Sequence, residues 1–180
     1  MGNFSFLNDK TEYHSFAKAC IDAEKICENS PDACVSSTRS ALECAIKWVY
    51  ANDGGLTYSK SAGESSRLFA LMENPSFKRV VPKKLLNKIH TIRTMGNSVV
   101  HKNISVSRAE AIQCLAYLFD FVQWIDKRYG RNYIQRDFDI DDVPEPPSGI
   151  KKVAQVGLGV AAGIVIATLG GSIIRDKRFF

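Results

Sequence analysis

The sequence predicts an all-α protein: a bundle of helices followed by one apolar helix near the C-terminus. Three observations carry that reading. Apolar residues recur at helical spacing through four long segments, and no segment alternates apolar and polar residues as a half-buried strand would. Residues 153 to 174 form a run of 22 residues without a charge. With 180 residues, 45% hydrophobic and 24% charged, the chain has the length of one domain with an appendage and the balance of a folded protein.

The first helix is expected over about residues 8 to 29, where Phe16, Ala19, Cys20, Ala23, Ile26 and Cys27 share a face. Ser30-Pro31 reads as an N-cap with proline in the first turn of a second helix, which runs to about residue 50 with Val35, Leu42, Ile46 and Val49 inward. Asn52-Asp53-Gly54-Gly55 ends it in a turn. A short helix follows at about residues 64 to 73, and a loop with Pro75 and Pro82 leads to a helix over about 83 to 101. Its stripe is Leu85, Ile89, Ile92, Gly96 and Val99, with Gly96 marking the close approach of another helix. Ser107 and Glu110 form a capping-box signature ahead of a last bundle helix to about residue 129, with Ile112, Leu115, Phe119, Val122 and Ile125 inward.

This divides the chain into a helical domain over residues 1 to 136, an acidic, proline-rich linker over 137 to 150, and a membrane helix with basic flanks over 151 to 180. The linker, DFDIDDVPEPPSG, is stiffened by proline and extended by self-repelling acids, so it is expected to hold the domain off the membrane. The apolar run makes about 33 Å of helix, enough for one span of a ~30 Å hydrocarbon core. Gly159, Gly163, Ala167 and Gly171 fall four apart along it, a small-residue face that lets a second helix approach closely and points to a homo-oligomer.

The net charge of +5 and pI near 9.0 invite a nucleic-acid reading that the distribution removes. Residues 151 to 180 carry five basic residues and one acid, whereas the other 150 carry 19 basic and 18 acidic. The excess therefore flanks the apolar run, where headgroups attract it. Five cysteines, an odd number without paired C-x-x-C spacing, argue against a disulfide framework and against a zinc site. Cys20 and Cys27 read as small core residues. The N-terminus lacks a secretory signal, and Phe6 stands where a myristoylation signal has Ser or Thr, so the domain is expected in the cytoplasm with the C-terminal helix as a single-pass anchor. We expect no metal and no other cofactor.

One segment of the bundle is basic. No acid occurs between Glu73 and Glu110, while Lys78, Arg79, Lys83, Lys84, Lys88, Arg93, Lys102 and Arg108 supply eight positive charges. A phosphate-bearing partner such as RNA, an anionic lipid surface, or plain solvation would each account for it. Lys78, Arg79, Lys83, Lys84 and Lys88 are its phosphate- or lipid-facing candidates. Within the segment, Arg93, Asn97 and His101 recur every four residues and share a helix face. Guanidinium, carboxamide and imidazole could hold a phosphodiester and move its protons without metal. The commoner fate of such a trio is hydrogen bonding within the helix packing, and spacing alone favours that.

At this point the sequence resembles the domain of unknown function family 4145, found near the N-terminus of type I restriction-enzyme HsdR subunits and in stand-alone prokaryotic proteins. The likeness covers about residues 1 to 130. It runs through NFSFL at 3 to 7, AEKI at 23 to 26, SPDAC at 30 to 34, the Arg39, Leu42 and Glu43 of an R-x-x-L-E pattern, and IRTMGNSVVH at 92 to 101. The resemblance implies a helical bundle related to the HEPN superfamily, many of whose members are metal-independent ribonucleases that act as dimers in defence against phage and plasmids. Those nucleases place arginine four to six residues before histidine, whereas seven residues separate Arg93 from His101.

The leading functional expectation is a membrane-tethered interaction or regulatory module of a prokaryotic defence system, with an unidentified protein or RNA as partner. A ribonuclease using His101 as acid or base, Arg93 on the phosphate and Asn97 as orienter is the first alternative. An oligomerising membrane effector acting through its glycine-rich helix is the second.

Overall fold

Six α-helices and no strand make up the described residues, which in the computed structural model are 2–57, 68–102 and 104–146. They are α1 His14–Ile26, α2 Pro31–Asn52, α3 Leu68–Glu73, α4 Pro75–Val80, α5 Lys83–Lys102 and α6 Arg108–Tyr129. No helix among the described residues is long and apolar enough to cross a membrane. The expected span, with Gly159, Gly163, Ala167 and Gly171, lies outside them.

Local chemistry explains most helix ends. Ser30 accepts a hydrogen bond from Ala33 N at 3.2 Å and Pro31 opens α2, where a missing N–H costs nothing. Ser107 and Glu110 form the reciprocal capping box that starts α6. The start of α1 departs from expectation. Two 3₁₀ turns, Ser5–Asp9 and Thr11–Tyr13, precede it, because the chain folds back to bury Phe4, Leu7 and Tyr13. The expected loop around Pro75 is also different: it holds α4. Asn74 caps that helix by accepting from Ser76 N at 2.9 Å, and Pro75 takes the first position.

α2 is the central helix, touching α1, α5 and α6. Its inward residues Val35, Ala41, Leu42, Ala45, Ile46 and Val49 are all fully buried. They meet Phe16, Cys20 and Ala23 of α1, Ile89 and Ile92 of α5, and Leu115, Leu118 and Val122 of α6 in one hydrophobic core. Where α5 crosses α2, Gly96 stands against the Arg39 stem. A Cβ there would lie 2.6 Å from Arg39 Cδ and 2.7 Å from its Cβ, so the expected close approach is made by α2.

Two buried carboxylates pin the chain ends to this core. Asp126 of α6 is fully buried and accepts from Lys10 Nζ at 3.0 Å and Tyr13 Oη at 2.9 Å. Burial first, and then the Asp126 carboxylate, push the Tyr13 hydroxyl above its ordinary pKa, so it remains a donor. Glu24 of α1 is 3% exposed; its Oε1 accepts from both the backbone N and the Nδ2 of Asn3 at 2.8 Å. Asn3 then reaches the tail, accepting from Asp139 N at 2.7 Å and donating to Asp139 O at 2.8 Å.

The described part of the acidic segment, residues 137 to 146, therefore lies along the bundle instead of standing away from it. Phe138 packs edge-on against Phe119 with ring centroids 5.7 Å apart, and Val143 is buried. Arg108 Nη2 donates to Pro144 O at 2.9 Å while its Nη1 donates to Cys27 O at 3.1 Å. Two apolar side chains and these backbone bonds outweigh the mutual repulsion of the acids, most of which face solvent.

Two stability outcomes follow from these joints. Gly96→Ala should destabilise the domain by about 1–3 kcal/mol in denaturant titration, despite alanine's higher helix propensity. Pairing it with Arg39→Ala should not restore stability, because the Arg39 Cβ itself is in the way. Asp126→Ala should cost about 3–5 kcal/mol by leaving Lys10 without its buried partner. Tyr13→Phe, which removes one neutral donor, should cost nearer 1 kcal/mol.

Candidate functional site

α5 carries the predicted trio on its solvent side, and the three side chains go different ways. The Arg93 guanidinium lies over the Phe69 ring of α3, 4.9 Å from its centroid, with its Nε buried and without a hydrogen-bond partner among the described residues. Asn97 is half-buried, and His101 is exposed in the last turn. No hydrogen bond joins any two of them among the described residues. Arg93 and His101 are eight residues apart, about 12 Å along the helix axis. Among the described residues no hydrogen bond to the His101 side chain is seen, in keeping with its exposure.

The structure instead assembles a group that spacing along one helix does not reveal. His90 is three residues before Arg93 and shares its face. Its Nε2 lies 3.4 Å from Glu73 Oε1 at the end of α3, and Glu73 Oε2 accepts from Lys78 Nζ of α4 at 2.5 Å. Short-range packing sets this arrangement. Tyr50 of α2 donates to Leu71 O at 2.7 Å and stacks on Phe77 of α4, rings 5.7 Å apart and nearly parallel, which seats α3 and α4 together. Asn74 fixes the corner between them, donating from Nδ2 to Thr57 O at 3.1 Å. Lys78 first, then the charges of His90 and Arg93, hold the Glu73 carboxyl below its usual range. Burial holds His90 below 6.5, assisted by Arg93 and Lys78 and opposed by Glu73. Phe69, next to these groups, is 53% exposed.

The basic segment does not form one uniform strip. Lys78 is paired with Glu73, while Lys88 turns toward α6, where it pairs with Asp120 and lies 5.5 Å from the centre of the Tyr117 ring. Arg79, Lys83 and Lys84 are exposed and pair with no acid among the described residues. Helical wheels place lysines by angle, but the acids that meet them stand on other helices, Glu73 on α3 five residues before Lys78 and Asp120 on α6 32 residues after Lys88.

The other motif residues meet one another at joints. Asn3 of the NFSFL stretch binds Glu24 of AEKI. Asp32 of the SPDAC turn accepts from Val106 N at 2.7 Å, tying the start of α2 to the loop before α6. Arg39 and Gly96 form the α2–α5 crossing, and Arg39 Nη1 lies 4.0 Å from Glu43. All five cysteines are free thiols, four of them buried, and burial pushes Cys114 up to about 12. Among the described residues no cluster of three or more His, Cys, Asp or Glu side chains could hold a metal ion.

Compared with known proteins, residues 22–133 match the family model of a domain of unknown function, DUF4145. No curated protein and no solved structure matches the chain.

The Glu73–His90 pair sets a pH dependence. A histidine held below its unfolded value of 6.5 disfavours protonation in the fold, so stability is lost as pH falls from 6.5 toward the folded value. A carboxyl held below 4.5 gives stability that is present above 4.5 and lost as pH falls through its lower folded value. Thermal unfolding midpoints should therefore fall on acidification in both windows. His90→Asn should flatten the upper one and Glu73→Gln the lower.

Proposed function

The chain belongs to the DUF4145 family of domains of unknown function, and from that premise we propose that it is a membrane-tethered interaction or regulatory module of a prokaryotic defence system, built on a HEPN-type bundle. The observation that carries the reading is the use of the motif residues: Asn3 with Glu24 holds the N-terminal turn on α1, Asp32 with Val106 N ties the start of α2 to the loop before α6, and Arg39 with Gly96 makes the α2–α5 crossing. Residues of this kind make a rigid platform. A nuclease centre on Arg93, Asn97 and His101 needs them around one phosphodiester, and within one chain Arg93 and His101 diverge.

The tether is supported by sequence: 22 uncharged residues over 153 to 174, bracketed by Lys151, Lys152, Arg175, Lys177 and Arg178. Gly159, Gly163, Ala167 and Gly171 support pairing of copies within the bilayer. The defence setting is an expectation from the resemblance to a family whose domain also occurs in type I restriction-enzyme subunits.

The test combines fractionation with an RNA assay on the full chain. The protein should sediment with membranes until detergent is added, and incubation with mixed cellular RNA in chelator should give no specific cleavage. His101→Ala should shift stability by less than about 0.5 kcal/mol, as expected for an exposed side chain. A protein that stays soluble without detergent would refute the tether. Specific cleavage that disappears in an equally stable His101→Ala variant would replace the module by the ribonuclease.

A further inference from the structure

We propose that Cys27 and Cys34 form a thiol oxidation site, with Cys27 as the nucleophile toward a hydroperoxide, Cys34 as the thiol that closes a reversible disulfide, and Arg108 as the cation beside the reacting sulfur. This assignment does not rest on the membrane tether or on the defence setting. It begins with the turn between α1 and α2. Cys27 caps the end of α1 and Cys34 stands at the start of α2. Backbone bonds from Ser30 N to Ile26 O at 3.1 Å and from Cys34 N to Ser30 O at 2.9 Å brace the turn between them. Across it the two side chains meet, the Cys34 thiol donating to the Cys27 sulfur.

A cation faces the same sulfur. Arg108 Nη1 lies 3.8 Å from Cys27 Sγ while donating to Cys27 O at 3.1 Å, and Nη2 donates to Pro144 O at 2.9 Å and Val143 O at 3.4 Å. Bonded on both sides, the guanidinium is fixed beside the thiol. The thiolate is the reactive form, and a donor and a positive charge next to it favour that form. The hydrogen bond from Cys34 first, and then Arg108, hold the Cys27 thiol below its ordinary value against burial and the charge of Glu24. Its neighbours go the other way. The bond to Cys27 and then burial push Cys34 up, and burial pushes up Cys20 and Cys114. The fold thus singles out one sulfur as nucleophile and places a protonated thiol against it. Cys27 is only 1% exposed, and residues 143 and 144 border it through Arg108, so transient release of that segment admits an oxidant as small as hydrogen peroxide.

The chemistry balances in two steps. The Cys27 thiolate attacks one peroxide oxygen, the O–O bond breaks, and the departing hydroxide takes the proton that Cys27 gave up, leaving a sulfenic acid and water. The Cys34 sulfur then attacks the Cys27 sulfur, the S–O bond breaks, and the Cys34 proton leaves with that hydroxide as a second water. Two thiols are oxidised by two electrons and the peroxide is reduced; a dithiol reverses the result.

The test uses the full chain in mild detergent, fully reduced, treated with hydrogen peroxide, then alkylated in denaturant and digested with trypsin. Cys27 and Cys34 fall in one tryptic peptide, residues 26 to 39, because no lysine or arginine lies between Lys25 and Arg39. That peptide should lose two hydrogens and escape alkylation ahead of Cys20 and Cys114, and dithiothreitol should restore both thiols. In Cys34→Ala the reaction should stop at Cys27 as a sulfenic acid, trapped by a cyclic 1,3-diketone. Arg108→Gln should move the pH midpoint of disulfide formation upward, a change that release of residues 143 and 144 alone would not produce. A peptide that remains fully alkylated, oxidation spread equally over all five cysteines, or a Cys34→Ala variant labelled at another cysteine would overturn the site. A pH midpoint unmoved in Arg108→Gln would overturn the part given to Arg108.

Discussion

Where α5 crosses α2, the distance between the two helices is set by a side chain that is not there. Gly96 lets the α5 backbone rest on the aliphatic stem of Arg39, and any Cβ at that position would collide with Arg39 atoms under 3 Å away. α2 is the helix that α1, α5 and α6 all touch, so this one crossing fixes how the bundle closes. It also fixes which way α5 presents its polar face. With Ile89 and Ile92 buried against α2 and α6, His90 and Arg93 are left facing α3, and there they find Glu73 and Phe69.

Around that apolar centre, the bundle uses buried carboxylates as fasteners. Asp126 and Glu24 each lie inside the fold, and each gathers donors from the N-terminal turns: Lys10 and Tyr13 in one case, Asn3 in the other. Desolvating a carboxylate is costly, and it is tolerated here because several donors converge on it. Asn3 and Arg108 extend the same device to the tail, holding Asp139 and Pro144 against the bundle. A segment rich in acid and proline is thereby ordered through its backbone and its two apolar residues, with its charges left in water.

The same geometry sorts the polar residues by what they do. Asn3, Glu24, Asp32, Arg39 and Arg108 have partners inside the fold, which makes them parts of joints. Arg93 and His90 stand at the rim of a joint, near the exposed Phe69 ring and the Glu73–Lys78 ion pair. That difference, more than residue type, separates a scaffold position from a surface position in this chain.

By itself the sequence determined what depends on neighbours a few residues away. The helical periods, the Ser30-Pro31 start, the Ser107–Glu110 capping box and the need for a small residue at Gly96 are all short-range chemistry, and they are legible in one pass. Only the tertiary structure decided which surfaces those helices share. Neither the burial of Glu24 and Asp126, the docking of residues 137 to 146, nor the meeting of Glu73 with His90 across 17 residues has a local signature. Whether a charge is exposed or paired depends on groups brought together by core packing, and a helical period specifies a face without specifying its neighbour.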